Sequence, residues 1–239
     1  MKISAKDLHF SELNDKVRQS SDNNILLTDV LGHRYIASGS SGKSITIEGV
    51  PGNALGAYLN GSTVLVKGNA QDATGDTMNN GRIVIEGSSG DATGYAMRGG
   101  IILIKGNAGY RAGIHMKAYK EHMPVVVIGG RAGDFLGEYQ AGGKIIVLGI
   151  GDPTIPVGPF CGTGMHGGKI YIRSSKAPQD LPIQVICRKA TNEDKNEIKE
   201  HIEDFASAFN ENSEELLNSD FFVLIPNTKN PYKQLYTHN

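Results

Sequence analysis

Residues 83–106 read Ile-Val-Ile-Glu-Gly-Ser-Ser-Gly-Asp-Ala-Thr-Gly-Tyr-Ala-Met-Arg-Gly-Gly-Ile-Ile-Leu-Ile-Lys-Gly: a β-branched run closed by glycine, a glycine-rich link, and the same run again. The pattern extends in both directions. Closing glycines at 49, 68, 87, 106, 129 and 149 are spaced 19, 19, 19, 23 and 20 residues apart, and a seventh run, Ile170 to Arg173, ends at Ser174. A second series, Gly56, Gly75, Gly94, Gly113 and Gly137, keeps nearly the same period, and 30 of the 31 glycines lie between Gly39 and Gly168. Repetition at ~20 residues marks stacked units that together bury one continuous core. The positions two and four before each closing residue are Ile47/Ile45, Val66/Val64, Ile85/Ile83, Ile104/Ile102, Val127/Val125, Val147/Ile145 and Ile172/Ile170, every one Ile or Val. β-Branched residues at period two put one strand face indoors. The expected fold is an all-β solenoid, a right-handed parallel β-helix of about six to seven coils. Its glycines mark corners where φ turns positive or coils approach closely.

Residues 24–174 carry the repeats, with Ile25–Val30 and Arg34–Ala37 expected as strands of an irregular first coil. Residues 1–23 read as a strand and a short N-terminal helix, N-capped at Ser11, with Leu13 and Val17 on one face. On the outward side, Glu48, Lys67, Glu86 and Lys105 predict an alternating charge ladder. Two slots earlier stand Thr46, Leu65, Val84, Leu103, Val126, Ile146 and Tyr171, mostly apolar where water is expected. A strand apolar on both faces is covered on both faces. Residues 175–239 supply a cover: a linker, a helix capped by Thr191 with Asp194 three residues on, and a tail. Ile198, Ile202, Phe205 and Phe209 form one stripe at helical spacing, expected to lie on the wall. Glu214–Leu217 adds a short turn and Phe221–Ile225 a strand.

A net charge of −1 gives no basic field for nucleic acid. It is unevenly spread, since residues 191–239 hold ten acidic and four basic side chains, a net −6, which leaves +5 on the rest. Cys161 and Cys187 are too few for a disulfide framework and read as free thiols in a reducing compartment. Met1–Phe10 lacks the apolar core of a signal peptide and no apolar run reaches membrane length. A cytoplasmic protein is expected.

Several motifs dissolve on inspection. Ala37-x4-Gly42-Lys43-Ser44 approaches a phosphate loop, but its first glycine is missing and a strand follows in place of the required helix. Gly162-Thr163-Gly164-Met165-His166-Gly167 fits the dinucleotide fingerprint letter for letter, yet it precedes a strand and repeats the corner at Gly94–Gly99. The seven histidines form no tight cluster of zinc ligands. Asp72 and Asp91 share one slot in adjacent coils with Arg111 near the next. They read as turn-forming side chains, or as the acid/base pair of a β-helical hydrolase or lyase.

The corners resemble the GXGXG domain, the β-helical C-terminal region of glutamate synthase large subunits, and more closely its stand-alone form. The matching stretches are Gly68–Ala73, Tyr95–Gly100, Gly109–Lys117, Asp134–Gly143 and Gly162–Arg173. Formylmethanofuran dehydrogenase also has a component that shares the domain. The resemblance implies a non-catalytic scaffold, with no cofactor of its own, in a complex with a class II glutamine amidotransferase subunit and an FMN/iron–sulfur synthase subunit. Two irregular loops, Ile114–Met123 and Ile150–Phe160, are expected to touch such partners through His115, Lys117, Tyr119, Lys120, Glu121, His122, Ile150, Asp152 and Phe160.

Overall fold

The computed structural model describes residues 1–152 and 154–227; the tail expected beyond residue 227 lies outside them. The described strands form one sheet: β1 (Lys2–Ser4), β2 (Asn24–Leu31), β3 (Ser44–Val50), β4 (Asn60–Val66), β5 (Asn80–Ile85), β6 (Ile101–Ile104), β7 (Val125–Ile128), β8 (Ala141–Val147), β9 (Gly167–Arg173), β10 (Val185–Lys189) and β11 (Phe221–Pro226). The first nine pair in chain order, each parallel to the last, as expected of a solenoid-like stack. β11 then returns antiparallel on β9, and β10 closes the edge antiparallel on β11. Helices α1 (Phe10–Gln19), α2 (Asn192–Phe209) and α3 (Ser213–Asn218) complete the described chain.

Two columns of inward side chains run through the stack. One passes Ile45, Val64, Ile83, Ile102, Val126, Ile145 and Ile170; the other passes Ile47, Val66, Ile85, Ile104, Ile128, Val147 and Ile172. All are buried. The fifth coil corrects the sequence reading: Val126 and Ile128 face inward, while Val125 and Val127 join the outer cluster. Its closing residue is Gly130, whose N–H bonds to Gly106 and whose carbonyl receives Gly149. The Gly129-Gly130 doublet offers two choices, and a one-residue slip exchanges the faces of a strand.

The opposite side of each coil is a run of turns with left-handed φ at alternate residues, such as Ala73, Gly75 and Thr77, or Arg111, Gly113 and His115. These runs are hydrogen-bonded between coils. Ala73 and Thr77 donate forward to the carbonyls of Asp91 and Tyr95, while Gly75 donates back to Leu55. Arg34–Ala37 belongs to the first such run and is not a strand, because Tyr35 and Ala37 have positive φ. Side chains add a second set of ties. Asn69, Ser88 and Asn107 accept the N–H groups of Ser88, Asn107 and Arg131 in successive coils. Asp72 and Asp91 likewise accept from Asp91 and Tyr110. The glycine in the receiving coil makes room: a Cβ on Gly130 would sit 2.2 Å from Asn107 Oδ1. Several closing glycines are therefore kept by close approach, without positive φ.

α1 covers the first coil with Leu13 and Val17. Its cap is His9 in place of the expected Ser11, because the imidazole accepts from the Ser11 N–H while Glu12 reaches back to the His9 N–H. α2 starts at the Thr191 cap with Asp194, as its sequence predicts. Ile198, Ile202, Phe205 and Phe209 pack in one cluster with Val84, Leu103, Val125, Val127, Ile146, Leu148 and Tyr171, so the chain covers its own wall. Burial of each large side chain contributes about 1.5–3 kcal/mol. Basic wall residues meet the acidic helix: Arg82 pairs with Asp204 at 2.7 Å, Lys169 with Glu197 at 2.7 Å, and Lys144 Nζ donates to the Glu197 carbonyl. Of the expected charge ladder only Lys67–Glu86 forms among the described residues. Both partners are part-exposed, worth about 0–1 kcal/mol.

Two measurements probe this construction. Gly130→Ala is expected to lower unfolding free energy by about 1–3 kcal/mol through overpacking, and less in an Asn107→Ala background, giving a non-additive denaturation cycle. A cycle that adds would remove the steric account. The Arg188 guanidinium holds the buried Asp194 carboxyl well below its usual range, helped by the Thr191 N–H and hydroxyl against the opposing effect of burial. A depressed folded pKa stabilises above the unfolded value and is lost as pH falls towards the folded one. The stability deficit of Asp194→Asn relative to wild type should be constant above about pH 5 and shrink below about pH 4; a deficit unchanged to pH 2 would contradict this.

Candidate functional site: a partner interface

The turn side of the stack carries a group of exposed and part-buried aromatic side chains. Tyr110, Phe135 and Phe160 lie in successive coils, their ring centroids 5.3 and 4.8 Å apart. A second column joins Tyr95 to His115 edge-on at 5.9 Å, and His115 to Tyr139 face-on at 5.2 Å. Between them Arg111 lies over Tyr110 and Phe135, and its Nε donates to Glu138 at 2.6 Å. Glu138 is itself buried, and this hydrogen bond raises the Arg111 pKa. Phe160 remains 52% exposed, Tyr95 39% and Tyr139 37%.

Local backbone makes this arrangement informative. Arg111, His115, Phe135, Tyr139 and Phe160 all have left-handed φ, a conformation disfavoured for bulky residues by roughly 1–2 kcal/mol. Earlier coils place Ala54, Ala73, Ala92 and Ala96 in the same conformation, alongside Tyr35, Tyr58 and Thr77. The stack accepts a methyl group there, so the fold alone does not call for an aromatic ring. The left-handed backbone is thus a property of every coil, and what distinguishes the later coils is the size of the side chains that it carries.

The expected loop residues His115, Lys117, Tyr119, Lys120, Glu121 and His122 are all exposed. Tyr119 and His122 close a small antiparallel bridge that holds the loop out, and Lys120 Nζ lies 5.3 Å from the Tyr119 ring. The second loop divides. Ile150 packs against the wall cluster, and Asp152 bonds to Arg131 and Thr154, leaving Phe160 on the surface. Hydrogen bonds from Thr154 and Arg131 hold the Asp152 pKa down at about 2. Sequence reading missed Tyr95, Tyr110, Phe135 and Tyr139. The signal was present: counted from Gly130, Phe135 takes the slot of Arg111 and Tyr139 that of His115.

Asp72 and Asp91 each give one carboxylate oxygen to an amide of the next coil, while Arg111 pairs with Glu138. Cys161 is buried against the cap strands and desolvation pushes its thiol up to about 12, with Cys187 adding to the effect. No group of three or more metal-ligating side chains converges among the described residues. No helix there is long and apolar enough to cross a membrane.

A largely parallel, solenoid-like sheet with glycine-centred turn runs defines a class of repeat fold. The GXGXG motif family matches residues 17–227, and the chain belongs to that family. An uncharacterized protein of Methanocaldococcus jannaschii is 47% identical over 249 residues, covering 98% of this chain and 95% of that one. Among solved structures, a chain of the formyltransferase/hydrolase complex from Methylorubrum extorquens, in complex with methylofuran, aligns with a TM-score of 0.62. The alignment covers 92% of this chain and 88% of that one at 17% identity, a likeness of fold.

The exposed columns and the core should respond differently to truncation. Met116→Ala, at a fully buried position, is expected to cost about 2–5 kcal/mol in chemical denaturation. His115→Ala, one residue away and exposed, should stay within about 0.5 kcal/mol of wild type or stabilise it. A large loss for His115→Ala would make the columns part of the fold.

Proposed function

We propose that this chain is a non-catalytic scaffold within a multi-subunit, glutamate-synthase-like oxidoreductase in the cytoplasm. In this reading the stack is a right-handed β-helix of about six to seven coils, the hand that parallel crossovers almost always take. It braces a class II glutamine amidotransferase and an FMN/iron–sulfur synthase, each a separate polypeptide. The observation that carries the reading is the pair of partly exposed aromatic columns on a GXGXG turn face, at slots that other coils fill with alanine. Aromatic rings and arginine are enriched where interfaces concentrate their binding energy. Lys117 and Lys120 follow His115 in the chain, are exposed, and suit acidic partner groups.

A second reading is a component like the GXGXG-domain polypeptide of formylmethanofuran dehydrogenase. It is favoured by the fold likeness to a chain of the formyltransferase/hydrolase complex. The two readings differ in what surrounds the same scaffold.

Purification of the native complex from its source separates them. The first reading expects an amidotransferase and a flavoprotein to co-purify; the second expects partners that hold molybdenum or tungsten. Recovery of the chain alone would overturn both. Phe135→Ala with Tyr139→Ala, or charge reversal at Lys117 and Lys120, should weaken assembly by about tenfold or more while the isolated chain stays folded. Assembly unaffected by either pair would remove the turn face as the interface.

A further inference from the structure

A cleft of about 260 Å³ opens between α1 and the first turn run, far from the aromatic columns in the stack. Its walls are Asn14, Val17 and Arg18 from the helix, with Tyr35, Ala37, Lys43 and the serines of 38–41 from the turn. Two cations line it and no carboxylate does. Val17 and Ala37 are buried and make an apolar floor.

The polar groups are placed and partly unused. Lys43 is fixed from both ends: its N–H donates to the buried Ser62 hydroxyl, and its Nζ donates to the Ser20 carbonyl at 2.7 Å. Ser40 bonds to Ser62 at 2.8 Å. The hydroxyls of Ser38 and Ser41, and the N–H of Ser41, have no partner among the described residues. Gly39 and Gly42 both have positive φ, which shapes the loop around the opening. Arg18 pairs with Asp15 at 2.8 Å, but both are largely exposed, so this pair competes weakly for the guanidinium. On the helix side, Asn14 Oδ1 is buried and meets no donor, although its amide N–H bonds to the Arg34 carbonyl.

We propose that this cleft binds a small phosphomonoester bearing a hydroxyl group. The phosphate takes Arg18, Lys43 and the donors of Ser38 and Ser41. The hydroxyl donates to Asn14 Oδ1, which otherwise stays unsatisfied. The site differs from a nucleotide phosphate loop: strand β3 follows the glycines, and the packed flank of α1 supplies the second wall. Its volume lies just below the range of ordinary ligand pockets, about 300–1,000 Å³, which suits a phosphate with a few further atoms.

Isothermal titration calorimetry of the purified full chain at low ionic strength tests the proposal with inorganic phosphate and glycerol 3-phosphate. Both should bind saturably at one site, glycerol 3-phosphate the tighter. Arg18→Gln, an exposed change that leaves the core intact, should weaken both about tenfold or more, the loss of one charge-assisted hydrogen bond. Asn14→Leu should remove the preference for glycerol 3-phosphate and leave inorganic phosphate unchanged. Absence of saturable binding, or Arg18→Gln binding as well as wild type, overturns the site. A preference that survives Asn14→Leu overturns the role given to Asn14.

Discussion

Stacking like on like is the constraint on which the rest of this structure depends. Whatever one coil projects towards the next must be matched by an equal space at the same address. Inside, Ile and Val meet the condition because two branched chains at period two tile a column without a polar atom. At the glycine-rich links the condition is met differently. An Asn, Ser or Asp oxygen crosses to the next coil, takes an amide hydrogen, and occupies the volume that a Cβ would need. The glycine and the side chain one coil earlier form one unit. Neither is intelligible alone, and Asp72 and Asp91 each belong to such a unit.

The two long sides of the stack have been put to different uses. The strand side is sealed by α2, whose apolar stripe and acidic residues match an apolar wall edged with Arg82, Lys144 and Lys169. The turn side is left open and furnished with rings mainly in its later coils. Burial on one side and exposure on the other follow from one distinction. The wall must be dry because its strands are apolar on both faces, whereas the turn side has already satisfied its backbone between coils.

Periodicity made the architecture legible before any coordinates, and the charge imbalance of residues 191–239 fits the basic wall that α2 covers. The failures share a cause. Each arose where the period was interrupted or a local choice had two near-equal answers. Five residues are added between Gly106 and Gly130, and the following doublet hid the true closing position, which turned Val125 to Ile128 inside out. His9 took the cap from Ser11 because an imidazole nitrogen also accepts a backbone N–H, a use that hydroxyl-based rules do not anticipate. The aromatic columns escaped notice because their members are 20 or more residues apart and become neighbours only after stacking.

The position of α2 late in the chain also sets a timetable. Arg82 and Asp204, which meet across the covered wall, are separated by 122 residues. At ordinary ribosomal speed, about 5–20 residues per second, roughly 6 to 24 seconds pass between synthesis of the wall and synthesis of its cover. During that interval the nascent stack presents a growing apolar strip lined by Val84, Leu103, Val125 and Val127. The repeat can fold as it emerges, coil upon coil, but its solubility arrives last.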